Sequence, residues 1–278
     1  MTNREVRQWV PAQHTSDGAG VKIKRIAGPH LNTHMDPYLL LDELRSDDPD
    51  DYIAGFPPHP HRGVETITYM REGSFSHKDH MGNEGQIDPG GVQWMTAGRG
   101  VIHSEMPAQE DGAFHGFQIW LNLPADEKMK PAAWEDIQND RVTNKKLENG
   151  ASLLVIAGNI KVAGESLEGP LLGPTTEPVL VDVFLPAGET VEIELPHDHQ
   201  VMVYLYDGGL EGKSAPGALF YNTGATLSLT ASEKGLGAFV LAGTPLKEPI
   251  AQHGPFVMNT AEEIEQAITD YQAGTLTG

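Results

Sequence analysis

Short alternating runs dominate the chain. Residues 63–70, GVETITYM, place Val64, Thr66 and Thr68 on one side of an extended backbone and Glu65, Ile67 and Tyr69 on the other, the period-2 pattern of a strand. Residues 117–123, FQIWLNL, read as another strand. Turn signals separate the runs, among them Glu72-Gly73, Gly82-Asn83 and Pro89-Gly90-Gly91. The 31 glycines and 20 prolines leave little room for long helices, so the pattern is all-β.

The rhythm lapses between Pro124 and Asn149, a charged stretch with scattered apolar residues that reads as an inter-domain connection. It then resumes, with strands expected over residues 151–157, 179–185, 190–195, 201–206, 218–221 and 237–241. Two β domains follow, residues 1–135 and 136–278, each of a size to form a barrel or sandwich. A single helix is expected, Thr260 to Gln272: Thr260 and Glu263 have capping-box spacing. Its apolar positions Ala261, Ile264, Ala267, Ile268 and Tyr271 share a face, and Gly274 ends it.

Composition narrows the chemistry. The chain has no cysteine, which excludes disulfides, thiolate catalysis and cysteine-held zinc or iron–sulfur centres. Any metal must be bound through nitrogen and oxygen. The net charge of −20 is spread along the chain and argues against direct nucleic-acid binding, which needs clustered Lys and Arg to neutralise phosphate. No apolar stretch has the length of a signal peptide or a membrane span. A cytoplasmic protein with no membrane contact is expected.

Histidine concentrates at two places: His59 and His61 in FPPHPHRG, and His103 in GRGVIHSE, followed by Glu105. Side chains two apart on a strand point the same way, so each pair can face a barrel interior. Three imidazoles and a carboxylate suit Fe, Mn, Ni, Co or Zn and disfavour Ca or Mg, which prefer all-oxygen shells. Glu65 has the same strand parity as His59 and His61 and follows them at a spacing found in ordinary cupins. Spacing alone leaves the choice between Glu65 and Glu105 open.

The stretch HPHRGVETITYMREGSFSHKDHMGNEGQIDPGGVQWMTAGRGVIHSEMP resembles the pirin family, a bicupin branch. The resemblance extends to MDPYLLLDE at 35–43, GFQIWLNLP at 116–124 and GPFVMN at 254–259, and so covers nearly the whole chain. It implies two tandem cupin (jelly-roll) β-barrels with a short C-terminal helix. It also implies one divalent transition metal in the N-terminal barrel, held by His59, His61, His103 and Glu105. Fe(II) is the ion expected first, with Mn, Ni, Co, Cu or Zn compatible, and Glu65 then forms an internal hydrogen bond or ion pair instead.

In the second half, His197 and His199 repeat the first pair, but the later strands bring no further histidine. A turn pair without metal is expected there, as the resemblance also implies. His77 and Asp79 read as a surface pair, and His115 as a residue near the pocket. The resemblance to pirins implies two functions, and both fit the site. One is a quercetin 2,3-dioxygenase acting on flavonol-like small molecules with dioxygen, in which Glu105 is both ligand and catalytic base. The other is a non-enzymatic, iron-containing redox sensor that binds regulatory or metabolic protein partners.

Overall fold

A computed structural model describes residues 2–173 and 175–278. The protein is all-β, two tandem jelly-roll barrels with a short C-terminal helix. Two compact units are discontinuous in sequence. One comprises the residues up to Gln13, Ile26–Pro37 and Asp140–Pro245; the other comprises His14–Arg25, Tyr38–Asn139 and Leu246–Gly278.

In the second-half unit, the strand order is Val6–Pro11, Gly217–Tyr221, Gln200–Leu210, Thr226–Gly243, Val179–Leu185, Ser152–Ala157, Thr143–Lys146. Alternate residues of these strands, such as Val181, Val183 and Leu185 or Val201, Val203 and Leu205, turn inward to one apolar core. Strand alternation is therefore enough to fill this barrel with aliphatic side chains. The N-terminal strand is tied in by Arg4, whose guanidinium donates to the carbonyls of Pro196 (2.6 Å) and His199 (2.9 Å).

The unit that carries HPHRG has a seven-stranded and a four-stranded sheet. The larger runs Ala133–Ile137, Val92–Thr96, Val64–Glu72, Phe114–Asn122, Tyr38–Ser46, Val21–Ala27, Gln13–Asp17; the smaller runs Phe56–His61, Val101–Pro107, Phe75–Asp79, Glu84–Ile87. The expected strands at 63–70 and 117–123 are present, shifted by one to three residues at their ends. The stretch read as a connection is in part strand: Ala133–Ile137 pairs with Val92–Thr96, and Thr143–Lys146 with Ser152–Ala157. These edge strands alternate exposed with half-buried positions, so they carry too few apolar residues to stand out from loop.

The helix Ala261–Gln272 forms as expected, with Thr260 and Glu263 completing the capping box. Its inner residues Ile264 and Ala267 pack with Phe256, Met258 and Leu276. This C-terminal segment is locked to the residues that follow His61. Val257 N–H donates to the Arg62 carbonyl at 3.0 Å, and Arg62 reaches Asp270 at 2.7 Å. Gly63 lies at φ +77°, where a Cβ would sit 2.0 Å from the Val257 carbonyl oxygen, so only glycine lets the two backbones approach this closely.

Lys128 completes the lock. It is 1% exposed, and its ammonium donates to Gly63 O (2.8 Å), Asn122 Oδ1 (2.7 Å) and Val257 O (3.0 Å). Burial pulls its pKa down to about 8 against the opposing pull of Glu248 and Glu263. Lys128→Met leaves buried acceptors without a donor and is expected to cost about 2–4 kcal/mol, read by urea unfolding. The unfolded chain holds the Lys128 proton up to a higher pH than the native state does. This residue therefore makes stability rise between about pH 8 and the ordinary lysine pKa of about 10.4, a rise that is expected to shrink in Lys128→Met.

Candidate metal centre

The strand Val101–Pro107 lies between Phe56–His61 and Phe75–Asp79 and is antiparallel to both. His103 faces His59 on one side and Asp79 on the other. Toward Phe56–His61 the register slips between His103 and Glu105, so that Glu105 falls opposite Phe56 and Pro57-Pro58 take up the irregularity. Prolines suit that place because they have no N–H to give to a ladder.

This arrangement brings His59, His61 and His103 together, with one ligand atom of each within 4.8 Å of the others. Ring centroids are 4.4 Å apart for His59 and His103, 4.9 Å for His59 and His61, and 5.1 Å for His61 and His103. Among the described residues no other group of three possible ligands occurs. Trp120 meets His61 edge-on at 5.0 Å and walls that side.

Each imidazole has one ring nitrogen committed. His59 Nδ1 lies 2.8 Å from the Pro57 carbonyl, His61 bonds the Pro255 carbonyl, and His103 Nδ1 lies 3.4 Å from His77 Nδ1. His61 Nδ1 and His103 Nε2 are buried without a hydrogen-bond partner. Buried polar atoms are rarely left so, and a convergent set of them is what a cation site presents. Burial, reinforced by repulsion from His59, pulls the His61 pKa down to about 3. Burial, then His61, His59 and His77, holds His103 well below the ordinary range. Both rings are thus neutral, as metal ligation requires. Three imidazoles fit a divalent transition metal.

Glu105 is buried on the same strand, two residues beyond His103. Its Oε1 accepts from the Thr68 hydroxyl (2.9 Å) and its Oε2 from the Gln118 amide (2.6 Å). Thr68 and Gln118 belong to one polar row across the larger sheet, Asp136, Gln93, Thr68, Gln118, Asp42, each paired directly with the next. Glu65 is engaged elsewhere, accepting from Thr96 (2.7 Å) and pairing with Lys130 (3.1 Å), the internal role expected of it.

His77 and Asp79 do not form a surface pair: they are 3% and 8% exposed. Every second residue of Phe75–Asp79 turns inward, and that inward face carries both of them. His115 is buried against Glu43, 3.1 Å from its carboxylate. In the other unit, His199 Nε2 lies 3.6 Å from Glu177. Sequence reading missed Thr68 and Gln118, although a glutamine inside FQIWLNL is a signal, since a polar group in an apolar strand needs a buried partner.

Known proteins share the sequence pattern and the fold. The family model Pirin matches residues 20–121, and the model for the pirin C-terminal cupin domain matches residues 180–277. A Vibrio cholerae protein named "Putative quercetin 2,3-dioxygenase" is 48% identical, over 98% of this chain and 97% of its own. Pirin of Rattus norvegicus is 37% identical over 98% of this chain and 93% of its own. The crystal structure of a quercetin 2,3-dioxygenase from Acinetobacter baumannii superposes with a TM-score of 0.88 at 30% identity, covering 99% of both chains. The fold and site define a two-domain cupin protein. The chain belongs to the pirin family.

Metal content tests whether Glu65 is a ligand. Elemental analysis after purification without chelators is expected to find one equivalent of metal in the unsubstituted protein and in Glu65→Gln. In His103→Ala it is expected to find little or none. Loss of metal from Glu65→Gln alone would move the centre to the ordinary cupin arrangement.

Proposed function

We propose that this protein is a metal-dependent dioxygenase acting on flavonols such as quercetin. In this reading His59, His61, His103 and Glu105 hold one Fe(II), and the protein works in the cytoplasm. The observation that carries the reading is the convergence of three imidazoles, two of them neutral and with a buried unpaired nitrogen, with a buried carboxylate two residues along the strand of His103. The names borne by the Vibrio cholerae and Acinetobacter baumannii proteins support the substrate class.

The bound ion would supply Lewis acidity and one-electron redox chemistry at an open position. The residues of the chain do the rest. Glu105 accepts the proton of the substrate hydroxyl, a general-base role for which it needs a fixed carboxylate. Thr68 and Gln118 provide that fixity, one donor to each oxygen. Trp120 and the buried imidazoles keep the inner wall of the site dry, which strengthens every electrostatic interaction made there.

Oxygen uptake by iron-loaded protein in the presence of quercetin is the test, with stoichiometric loss of the flavonol expected. Glu105→Gln is expected to lower kcat by about 10²–10⁴-fold, the usual contribution of a positioned base. Fully loaded, folded protein that consumes no oxygen with any flavonol would overturn the assignment.

A further inference from the structure

We infer that His77 and Asp79 form a relay behind the metal centre that fixes the orientation and tautomer of His103, leaving its Nε2 free for the cation. The inference rests on the metal-centre reading above and adds two positioning residues to it.

The three imidazoles are not supported alike. His59 and His61 lean on backbone carbonyls, those of Pro57 and Pro255, whereas the partner of His103 is the side chain of His77. The antiparallel register places Asp79 directly opposite His103 and His77 directly opposite Glu105, so the relay follows from the pairing of two strands.

Proton positions follow from the contacts. His103 Nδ1 and His77 Nδ1 are 3.4 Å apart, at the long end of hydrogen-bonding range, and one of the two must carry the proton. His103 Nε2 and His77 Nε2 are both buried without a hydrogen-bond partner, the first turned to the other two imidazoles and the second with the Asp79 carboxylate as its nearest charged group. A ligating imidazole keeps its proton on the other nitrogen, so His103 Nδ1–H donates and His77 Nδ1 accepts. The His77 proton then sits on Nε2, which faces Asp79 Oδ2 at 3.5 Å.

Asp79 is itself anchored. Its Oδ1 accepts from the backbone N–H of Met81 (2.9 Å) and of Asn83 (3.1 Å), and its Oδ2 from the Asn83 amide (2.8 Å). Trp134 stacks on His77 with centroids 5.7 Å apart and planes 21° apart, which sets the ring plane. A carboxylate at the far end of such a chain makes the ligating nitrogen more basic, and removing partners of this kind costs about 10- to 100-fold in metal affinity.

Co(II) titration of the full-length protein, followed by its d–d absorption and by competition with a chelator, is the test. His77→Phe keeps the volume and the stacking on Trp134 but deletes both ring nitrogens. It is expected to bind one Co(II) with affinity lowered about 10- to 100-fold and with shifted d–d bands. His77→Gln, whose amide oxygen can accept from His103, is expected to recover part of the affinity. Asp79→Asn is expected to weaken binding in the same direction and carries the test should His77→Phe not fold. A folded His77→Phe, or in its place a folded Asp79→Asn, that binds Co(II) with unchanged affinity and spectrum overturns the relay and leaves the metal centre standing. Failure of the unsubstituted protein to bind Co(II) overturns the metal centre, and the relay with it.

Discussion

The site depends on the antiparallel pairing of the strand Val101–Pro107 with its two neighbours at the level of His103. That pairing puts His59 on one flank and Asp79 on the other; His59 and His61 lie on the regular part of the ladder, opposite His103 and Val101, and the register shifts only beyond them, toward Glu105. A slip of one residue would turn His103 and Glu105 to the opposite face together. The lock formed by Gly63, Arg62, Lys128 and the segment after Pro255 serves the same end, because it fixes the chain immediately beyond His61.

Burying so much polarity is costly, and its arrangement accounts for how the cost is met. His61 and His103 stay neutral because burial outweighs everything that could charge them. Glu105 is placed where Thr68 and Gln118 each supply a donor, and those two belong to the polar row that crosses the larger sheet. Of the buried nitrogens left without a partner, His61 Nδ1 and His103 Nε2 are the two that belong to the three-imidazole cluster, where a cation would take them. No helix among the described residues is long and apolar enough to cross a membrane.

Much of this was legible locally. Alternation in GVETITYM and FQIWLNL marks central strands, the Thr260/Glu263 box marks the helix, and the i, i+2 pair His59/His61, which shares a face on its strand, marks two of the three imidazoles that converge. What escaped local reading is set by long-range pairing. Ala133–Ile137 is a strand only because Val92–Thr96 gives it an edge to join. His77 and Asp79 look like surface residues until the neighbouring strand covers them, and Gln118 gains its meaning from Glu105, which lies on another sheet. Sequence spacing also could not choose between Glu65 and Glu105; in the fold Glu65 meets Thr96 and Lys130, whereas Glu105 meets Thr68 and Gln118.

The most direct measurement is a crystal structure of protein purified without chelators, with anomalous diffraction collected on both sides of the iron edge. The account predicts one peak, enclosed by His59, His61 and His103 with Glu105 completing the set, and none in the other barrel. A peak at full occupancy beside His199, or density at Glu65 in place of Glu105, would contradict it.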